Sequence, residues 1–214
     1  MKEGGTNMIR TRRNLVQTGA AVLAAAALPP LAWAEVAPAA AARPPLLGYP
    51  TAPKRLVVWG SLTCPFTALL FASLQTIVTD LKDVVSVEWR HFPTHPPDPA
   101  LHVAGLGFQG EHFWGFAFRV LGAVYAADGQ YAGLTPAKLA EFAKAEGGTP
   151  ETLKQAYADK AKWAAVKEDL LAGRLLGVTR TPGMFHNGYF MTPEGMPRDI
   201  KAFDKSLRAM LQAG

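Results

Sequence analysis

The sequence predicts an α/β domain in which one sheet is flanked by helices and interrupted by a helical insertion. A strand–helix–strand pattern opens the domain between residues 54 and 92. A long, mostly helical stretch follows, and a hairpin signal with a closing amphipathic helix ends the chain. Strands that share one sheet, with helices packed on its faces, form the layered α/β architecture.

The opening pattern depends on hydrophobic spacing. Residues 54–59 are rich in β-branched and aromatic side chains and stop at Gly60, which predicts a strand. Residues 66–81 carry aliphatic side chains at helical spacing, and Pro65 suits the first turn of that helix. Residues 84–92 alternate between apolar and polar side chains, which predicts a second strand.

Helix-start signals recur through the middle of the chain. Three of them combine a capping residue with a first-turn proline: Asp98-Pro99, Thr135-Pro136 and Thr149-Pro150. The apolar residues 113–126 and the amphipathic residues 160–176 predict two more helices. We therefore expect a helical insertion over residues 98–176.

A hairpin and a helix complete the domain. Asn187-Gly188 between two apolar pairs is typical of a two-residue hairpin turn, so residues 184–186 and 189–191 are predicted to be antiparallel strands. Residues 198–211 have the spacing of an amphipathic helix.

The N-terminus is typical of an export signal. A basic segment that contains Arg12-Arg13 precedes a run of small apolar residues, and residues 32–34 form a small-x-small cleavage pattern. Residues 11–17 resemble the twin-arginine signature. We therefore predict a signal peptide over residues 1–34, twin-arginine export and a periplasmic mature protein. An uncleaved signal anchor and a start at Met8 are the alternatives.

The formal charge follows from this segment. The whole chain carries +5, and residues 1–34 hold four basic residues and one acidic residue, so the mature chain carries +2. A charge this small favours no nucleic-acid partner. Residues 35–53 are rich in Ala and Pro and are predicted to form a linker. No stable membrane span is expected in the mature chain, where residues 54–213 form the domain.

Cys64 is the single cysteine of the chain. Exported proteins usually pair their cysteines, so a lone one is either a reactive thiol or a buried small apolar residue. Cys64 lies where a strand turns into a helix, and the positive end of a helix favours a thiolate. Thr67 lies one helical turn further on, and its hydroxyl either donates to that thiolate or bonds its own helix backbone.

These residues resemble a known family. The segment Cys64-Pro65-Phe66-Thr67 after a strand, then a helical insertion, then Thr181-Pro182 before the Asn187-Gly188 hairpin is similar to the thioredoxin superfamily. The resemblance is closest to its DsbA-like branch, which has a helical insert. Residues 90–93 and 113–114 are similar to that branch as well.

The resemblance implies a thioredoxin-like fold and a set of site residues. Cys64 corresponds to the catalytic, attacking thiol, and Pro65, Phe66 and Thr67 complete the active-site motif. Thr181 and Pro182 correspond to the cis-proline loop, which faces the thiol and binds substrate backbone. DsbA-like oxidases carry a second cysteine where this chain has Thr67, and a single cysteine cannot store a disulfide within the chain.

Three functions are compatible with that departure. The first is thiol–disulfide exchange through Cys64 alone, with the mixed disulfide resolved by an external thiol such as glutathione. The second is a glutathione-dependent transferase or isomerase. The third is a redox-silent protein that binds peptides in a chaperone-like role. The expected partners are exported proteins with thiols or disulfides and a redox partner protein, and no bound cofactor is expected.

Histidines after the second strand raise the question of a metal. His91 and His95 are four residues apart, but prolines at positions 93, 96 and 97 preclude a regular helix, so this spacing has no ligand geometry. We expect no metal site. The C-terminal end of that strand is expected on the active face, so one of these histidines can lie near the thiol.

Overall fold

The computed structural model describes residues 44–81, 83–191 and 199–213. Within these residues the chain forms one five-stranded sheet flanked by seven helices. This confirms the predicted α/β class. The predicted signal peptide over residues 1–34 and residues 35–43 of the predicted linker lie outside the described residues.

The sheet has the strand order β1-β3-β2-β4-β5. The central pair, β2 and β3, is parallel, and the remaining neighbours are antiparallel. The strand bounds are Leu46–Leu47 for β1, Lys54–Gly60 for β2, Val85–His91 for β3, Gly183–His186 for β4 and Tyr189–Met191 for β5.

The predicted linker over residues 35–53 contains a short strand. Leu46 and Leu47 form β1, which pairs antiparallel with β3 at the edge of the sheet. The strand is only two residues long, so it shows no alternating pattern from which it could be predicted.

Two of the helices lie outside the predicted insertion, and the other five lie within it. Helix α1 connects β2 to β3, α7 ends the domain, and α2 to α6 fill the insertion predicted over residues 98–176. The helix bounds are Pro65–Asp80 for α1, Asp98–Gly105 for α2, Glu111–Ala126 for α3, Pro136–Ala145 for α4, Pro150–Ala158 for α5, Lys160–Leu175 for α6 and Ile200–Ala213 for α7.

The main core lies between the sheet and helices α1, α3 and α7. Its largest fully buried side chains are aromatic, and Phe71 of α1 meets Trp89 of β3 edge-on at 5.1 Å between ring centroids. A smaller cluster of Trp59, Phe92 and Val178 lies apart from it. Trp59 Nε1 donates to the Asp169 carbonyl of α6 at 3.2 Å, which holds that helix to the sheet.

Two loops that follow the parallel strands meet at one edge of the sheet. Residues Lys54 to Gly60 of β2 pair in register with Val85 to His91 of β3, so both strands end at the same level. The loop from residue 61 to 64 and the loop from residue 92 to 97 therefore start side by side. In the part of the chain that the structure describes, no helix has the length and apolar character needed to cross a bilayer.

Gly60 is required at the end of β2 by its neighbours. A Cβ at this position would overlap the six-membered ring of Trp89 and lie 3.1 Å from the methyl group of Thr67. Both partners are fully buried, so neither can move aside without disturbing the core.

We predict that Gly60→Ala lowers the free energy of unfolding by about 1–3 kcal/mol, because overpacking forces buried neighbours off their rotamers. Gly122→Ala is the matched control. Gly122 lies exposed in α3 with no atom within 4 Å of a built Cβ, so alanine should add about 0.5–1 kcal/mol. Denaturant unfolding of both variants measures the difference, and equal stabilities would contradict the packing argument.

Candidate active site

Cys64 caps the N-terminus of α1, directly after the loop that follows β2. Its backbone is extended, with φ −89° and ψ 124°, and Pro65 occupies the first turn. The first turn contains no acidic residue, and no side chain caps it. No carboxylate within this turn therefore competes with a thiolate for the positive end of the helix.

The sulfur faces the loop before β4. Cys64 Sγ–H donates to the Thr181 carbonyl oxygen at 3.2 Å, and the Thr181–Pro182 peptide bond is cis. Cys64 is 7% exposed and belongs to none of the apolar core clusters among the described residues. The structure thus brings together Cys64 and the Thr181–Pro182 loop, which are more than a hundred residues apart in the chain.

Thr67 lies on the buried side of the motif. Its side chain is fully buried and its methyl group points toward Gly60. Its Oγ1 has no hydrogen-bond partner, so neither of the bonds considered from the sequence, to Cys64 or to the helix backbone, is present. In this structure Thr67 is a packing residue with an unsatisfied hydroxyl.

Pro65 and Phe66 form the outer side of the motif. Phe66 is 39% exposed and presents an aromatic ring at the surface beside the thiol. The loop after α3 lies against Pro65, because a Cβ built at Gly129 would be 3.3 Å from the proline ring. Gly129 has φ +84°, a conformation that favours glycine.

Hydroxyl groups and one histidine surround the loop before Cys64. Thr63 Oγ1 is 2.9 Å from His95 Nδ1, and Thr94 Oγ1 donates to Ser61 Oγ at 3.0 Å. The His95 ring lies 5.7 Å from the ring of Tyr131, which belongs to the loop after α3. His95 is therefore the histidine that lies beside the thiol loop.

A buried carboxylate joins the two loops. Asp98 accepts from the Leu62 backbone N–H at 2.9 Å and from the Thr94 backbone N–H at 2.8 Å. The sequence predicted Asp98 as a helix cap, but the capping position of α2 is Pro97, and Asp98 binds neighbouring loops instead. Sequence reasoning missed this role, because its first partner is 36 residues away.

His102 lies one turn further along α2, with its Nε2 at 3.3 Å from Asp98 Oδ1. Burial alone would raise the pKa of Asp98, but attraction to His102 and hydrogen bonds to the carboxylate outweigh it and lower that pKa. Both side chains are fully buried.

His91 extends the network into the core. Its Nδ1 accepts from Trp89 Nε1 at 3.1 Å and lies 2.9 Å from His102 Nδ1. Burial, followed by the charges of His102 and Arg90, holds the pKa of His91 well below its usual 6.5. His91 and His95 face different surroundings.

Among the described residues, no group of three or more potential ligand side chains could hold a metal ion.

The sequence matches the family model described as Thioredoxin over residues 41–207. The chain belongs to the thioredoxin family. The match begins before residue 54 and includes β1.

Solved structures place this thioredoxin chain in the DsbA-like fold. BdbD from Bacillus subtilis is 20% identical with a TM-score of 0.62, and the alignment covers 81% of this chain and 98% of that one. A protein-disulfide isomerase from Novosphingobium aromaticivorans is 18% identical with a TM-score of 0.63, over 79% and 99% of the two chains. DsbA from Chlamydia trachomatis is 18% identical with a TM-score of 0.58, over 79% and 93%.

One curated relative of this thioredoxin is a larger protein. Na(+)/H(+) antiporter NhaA 1 from Salinispora arenicola is 26% identical over 137 residues, which cover 64% of this chain. The aligned region is 20% of that protein, so this chain spans one fifth of the relative's length.

We predict that this protein loses stability as the pH falls below about 6.5, because the unfolded chain then protonates His91 while the folded chain resists it. The contribution of His91 to stability is complete above that value and declines as the pH falls toward the lowered folded pKa. Asp98 acts in a separate window, since its stabilisation is present above pH 3.8 and is lost as the pH falls through its lowered pKa.

His91→Gln keeps an acceptor for Trp89 Nε1 but cannot titrate, so its unfolding free energy should vary less between about pH 5 and 7. His112→Gln removes an exposed histidine and should keep the slope of the wild type. Denaturant unfolding at several pH values provides the measurement. A His91→Gln slope equal to that of the wild type would exclude His91 as the source.

Proposed function

We propose that the chain is an exported DsbA-like thiol–disulfide oxidoreductase that acts through Cys64 alone. The observation that carries this proposal is the position of Cys64, at the N-terminus of α1 and 3.2 Å from the carbonyl of Thr181. The free N–H groups at a helix N-terminus stabilise an anion, and sulfur carries such a charge when it attacks or leaves in an exchange. The resemblance gives the opposing Thr181–Pro182 loop the role of binding substrate backbone.

The proposed reaction is a sequence of two exchanges. The Cys64 thiolate attacks one sulfur of a substrate disulfide, so a mixed disulfide with Cys64 forms and the second substrate sulfur leaves as a thiolate. An external thiolate, such as that of glutathione, then attacks the substrate sulfur of the mixed disulfide. The substrate becomes disulfide-linked to the external thiol, and the Cys64 thiolate is regenerated without net consumption of an oxidant.

The surroundings of Cys64 suit this reaction better than intramolecular disulfide chemistry. Thr67 occupies the place of a second thiol and is fully buried, so an external thiol must complete the cycle. Phe66 provides exposed apolar surface beside the sulfur, against which an unfolded or flexible substrate segment can pack. Exported proteins with thiols or disulfides are therefore the proposed substrates.

Export belongs to the same proposal. Residues 1–34 carry paired arginines, an apolar run and a cleavage pattern, and we assign them to twin-arginine export into the periplasm. An oxidising compartment supplies disulfides for Cys64 to exchange. The remaining residues before β1 then act as a short linker to the domain.

We predict that purified wild-type protein forms a one-to-one mixed disulfide with a disulfide-bonded peptide at pH 7, about tenfold faster than free glutathione reacts, because the helix end favours the thiolate. Intact-mass spectrometry under non-reducing conditions detects the adduct, and added glutathione should release it. Cys64→Ser is the control and should form none. If the folded wild type forms no adduct, the exchange reaction is wrong and the redox-silent, peptide-binding alternative takes its place.

Thr67→Cys tests the missing second thiol. We predict that the introduced thiol forms an intramolecular disulfide with Cys64 in air, and that the variant transfers this disulfide to a reduced peptide dithiol, with one peptide disulfide formed per protein. The wild type has a single free thiol and no disulfide to donate, so it should leave the reduced peptide dithiol unchanged. Cys64→Ser combined with Thr67→Cys should not transfer. A folded Thr67→Cys variant whose products match those of the wild type would contradict the assigned role of position 67.

A further inference from the structure

A buried charged pair lies behind the loop that carries Cys64. Asp98 and His102 are fully buried, and neither takes part in the exchange chemistry proposed above. The Asp98 carboxylate binds the backbone N–H of Leu62, which lies two residues before Cys64, and that of Thr94 in the adjacent loop. It therefore fixes the thiol loop to the neighbouring strand end.

The Asp98 carboxylate binds the backbone of the loop that carries Cys64, two residues before the thiol. Negative charge near a sulfur disfavours its thiolate form, and burial strengthens the effect because the local dielectric constant is low. Cys64 would form its thiolate more readily if the charge of Asp98 were neutralised. His102 is the one candidate among the described residues that contacts the carboxylate as an ion pair.

The direction of the hydrogen bonds determines where the protons are. Trp89 Nε1 can only donate, so His91 Nδ1, at 3.1 Å, must be the unprotonated acceptor. His102 Nδ1, at 2.9 Å from the same atom, must then carry a proton and donate it. His102 Nε2 is buried, lies 3.3 Å from Asp98 Oδ1 and has no hydrogen-bond partner of regular geometry. If His102 were neutral, this unprotonated nitrogen would lie next to a carboxylate oxygen that repels it.

We propose that His102 is a buried imidazolium that neutralises Asp98, so that the carboxylate positions the Cys64 loop without opposing the thiolate. This inference rests on the proposed function, because it assigns Asp98 and His102 as positioning residues for the same thiol. A proton on Nε2 turns the contact with Asp98 into an ion pair.

The other groups around the pair agree with this assignment. Trp89 stacks on His102 with 5.8 Å between ring centroids and an interplanar angle of 21°, an arrangement that stabilises a cation over an aromatic face. Asp169 of α6 and Arg90 of β3 form their own ion pair at 3.2 Å. His91 accepts from its neighbours as a neutral ring. The charge on Asp98 is thus balanced by His102.

The test follows Cys64 reactivity, which depends on the thiolate and not on disulfide exchange. Alkylation of Cys64 by iodoacetamide is measured between about pH 5 and 9 for His102→Gln, for Asp98→Asn combined with His102→Gln, and for the exposed control His112→Gln. His102→Gln leaves the carboxylate without its counter-charge, so alkylation at pH 7 should slow about five- to tenfold and the profile should move to higher pH.

The double variant separates charge from packing. It lacks the same imidazole but has a neutral amide in place of the carboxylate, so it should regain most of the wild-type rate, while His112→Gln should match the wild type. If the His102→Gln and wild-type profiles superimpose, the proposal is overturned. A double variant as slow as His102→Gln would also overturn it, because the loss would then reflect packing.

A measurement on the wild type keeps the proposal testable if His102→Gln does not fold. Nitrogen-15 NMR of the histidine rings at pH 7 should show both ring nitrogens of His102 protonated and His91 neutral with an unprotonated Nδ1. An unprotonated nitrogen on His102 would overturn the proposal. If the wild type forms no mixed disulfides but its alkylation profile depends on His102 as described, the exchange function fails and the charged pair stands.

Discussion

The parallel, in-register pairing of β2 with β3 determines where the Cys64 loop and the loop after β3 meet. Gly60 and His91 are paired at the ends of the two strands, so the chain leaves both strands at one edge of the sheet. One exit leads to Cys64 and the N-terminus of α1. The other leads to Thr94, His95 and α2. The polar contacts between the two loops are possible because both strands end at the same level of the sheet.

Cys64 lies at a boundary between two kinds of surroundings. On one side is the outer surface of the motif, with exposed Phe66 and the carbonyl of Thr181. On the other side is a buried network in which charge must be compensated, since an unpaired ion in this environment costs several kcal/mol. The loop is held mainly by directional hydrogen bonds, which fix an orientation more sharply than apolar contacts do.

Local patterns in the sequence were sufficient to predict most of the architecture. The alternation in β3, the helical spacing in α1 and the Asn187-Gly188 turn each depend on neighbours within a few residues, and the structure has these elements where they were expected. The insertion was found from its capping residues. Strand β1 was not found, because two residues carry no periodic signal.

The site was predictable only in part, because its contacts join distant residues. The contact of Cys64 with Thr181 was expected through the family resemblance, since no local pattern links residues so far apart. The role of Asp98 could not be predicted, because an aspartate before a proline reads as a helix cap whether its carboxylate binds its own helix or another loop. The link between His91 and His102 crosses from a strand to a helix and has no characteristic spacing.

The helical insertion contacts the thiol region from three separate points of its length. Its first helix supplies Asp98, the loop after α3 touches Pro65 through Gly129, and α6 supplies Asp169, whose carboxylate accepts from the backbone N–H of His91. The insertion therefore supports the Cys64 loop from several sides, and a shortened insertion would remove contacts that hold the thiol in its present position.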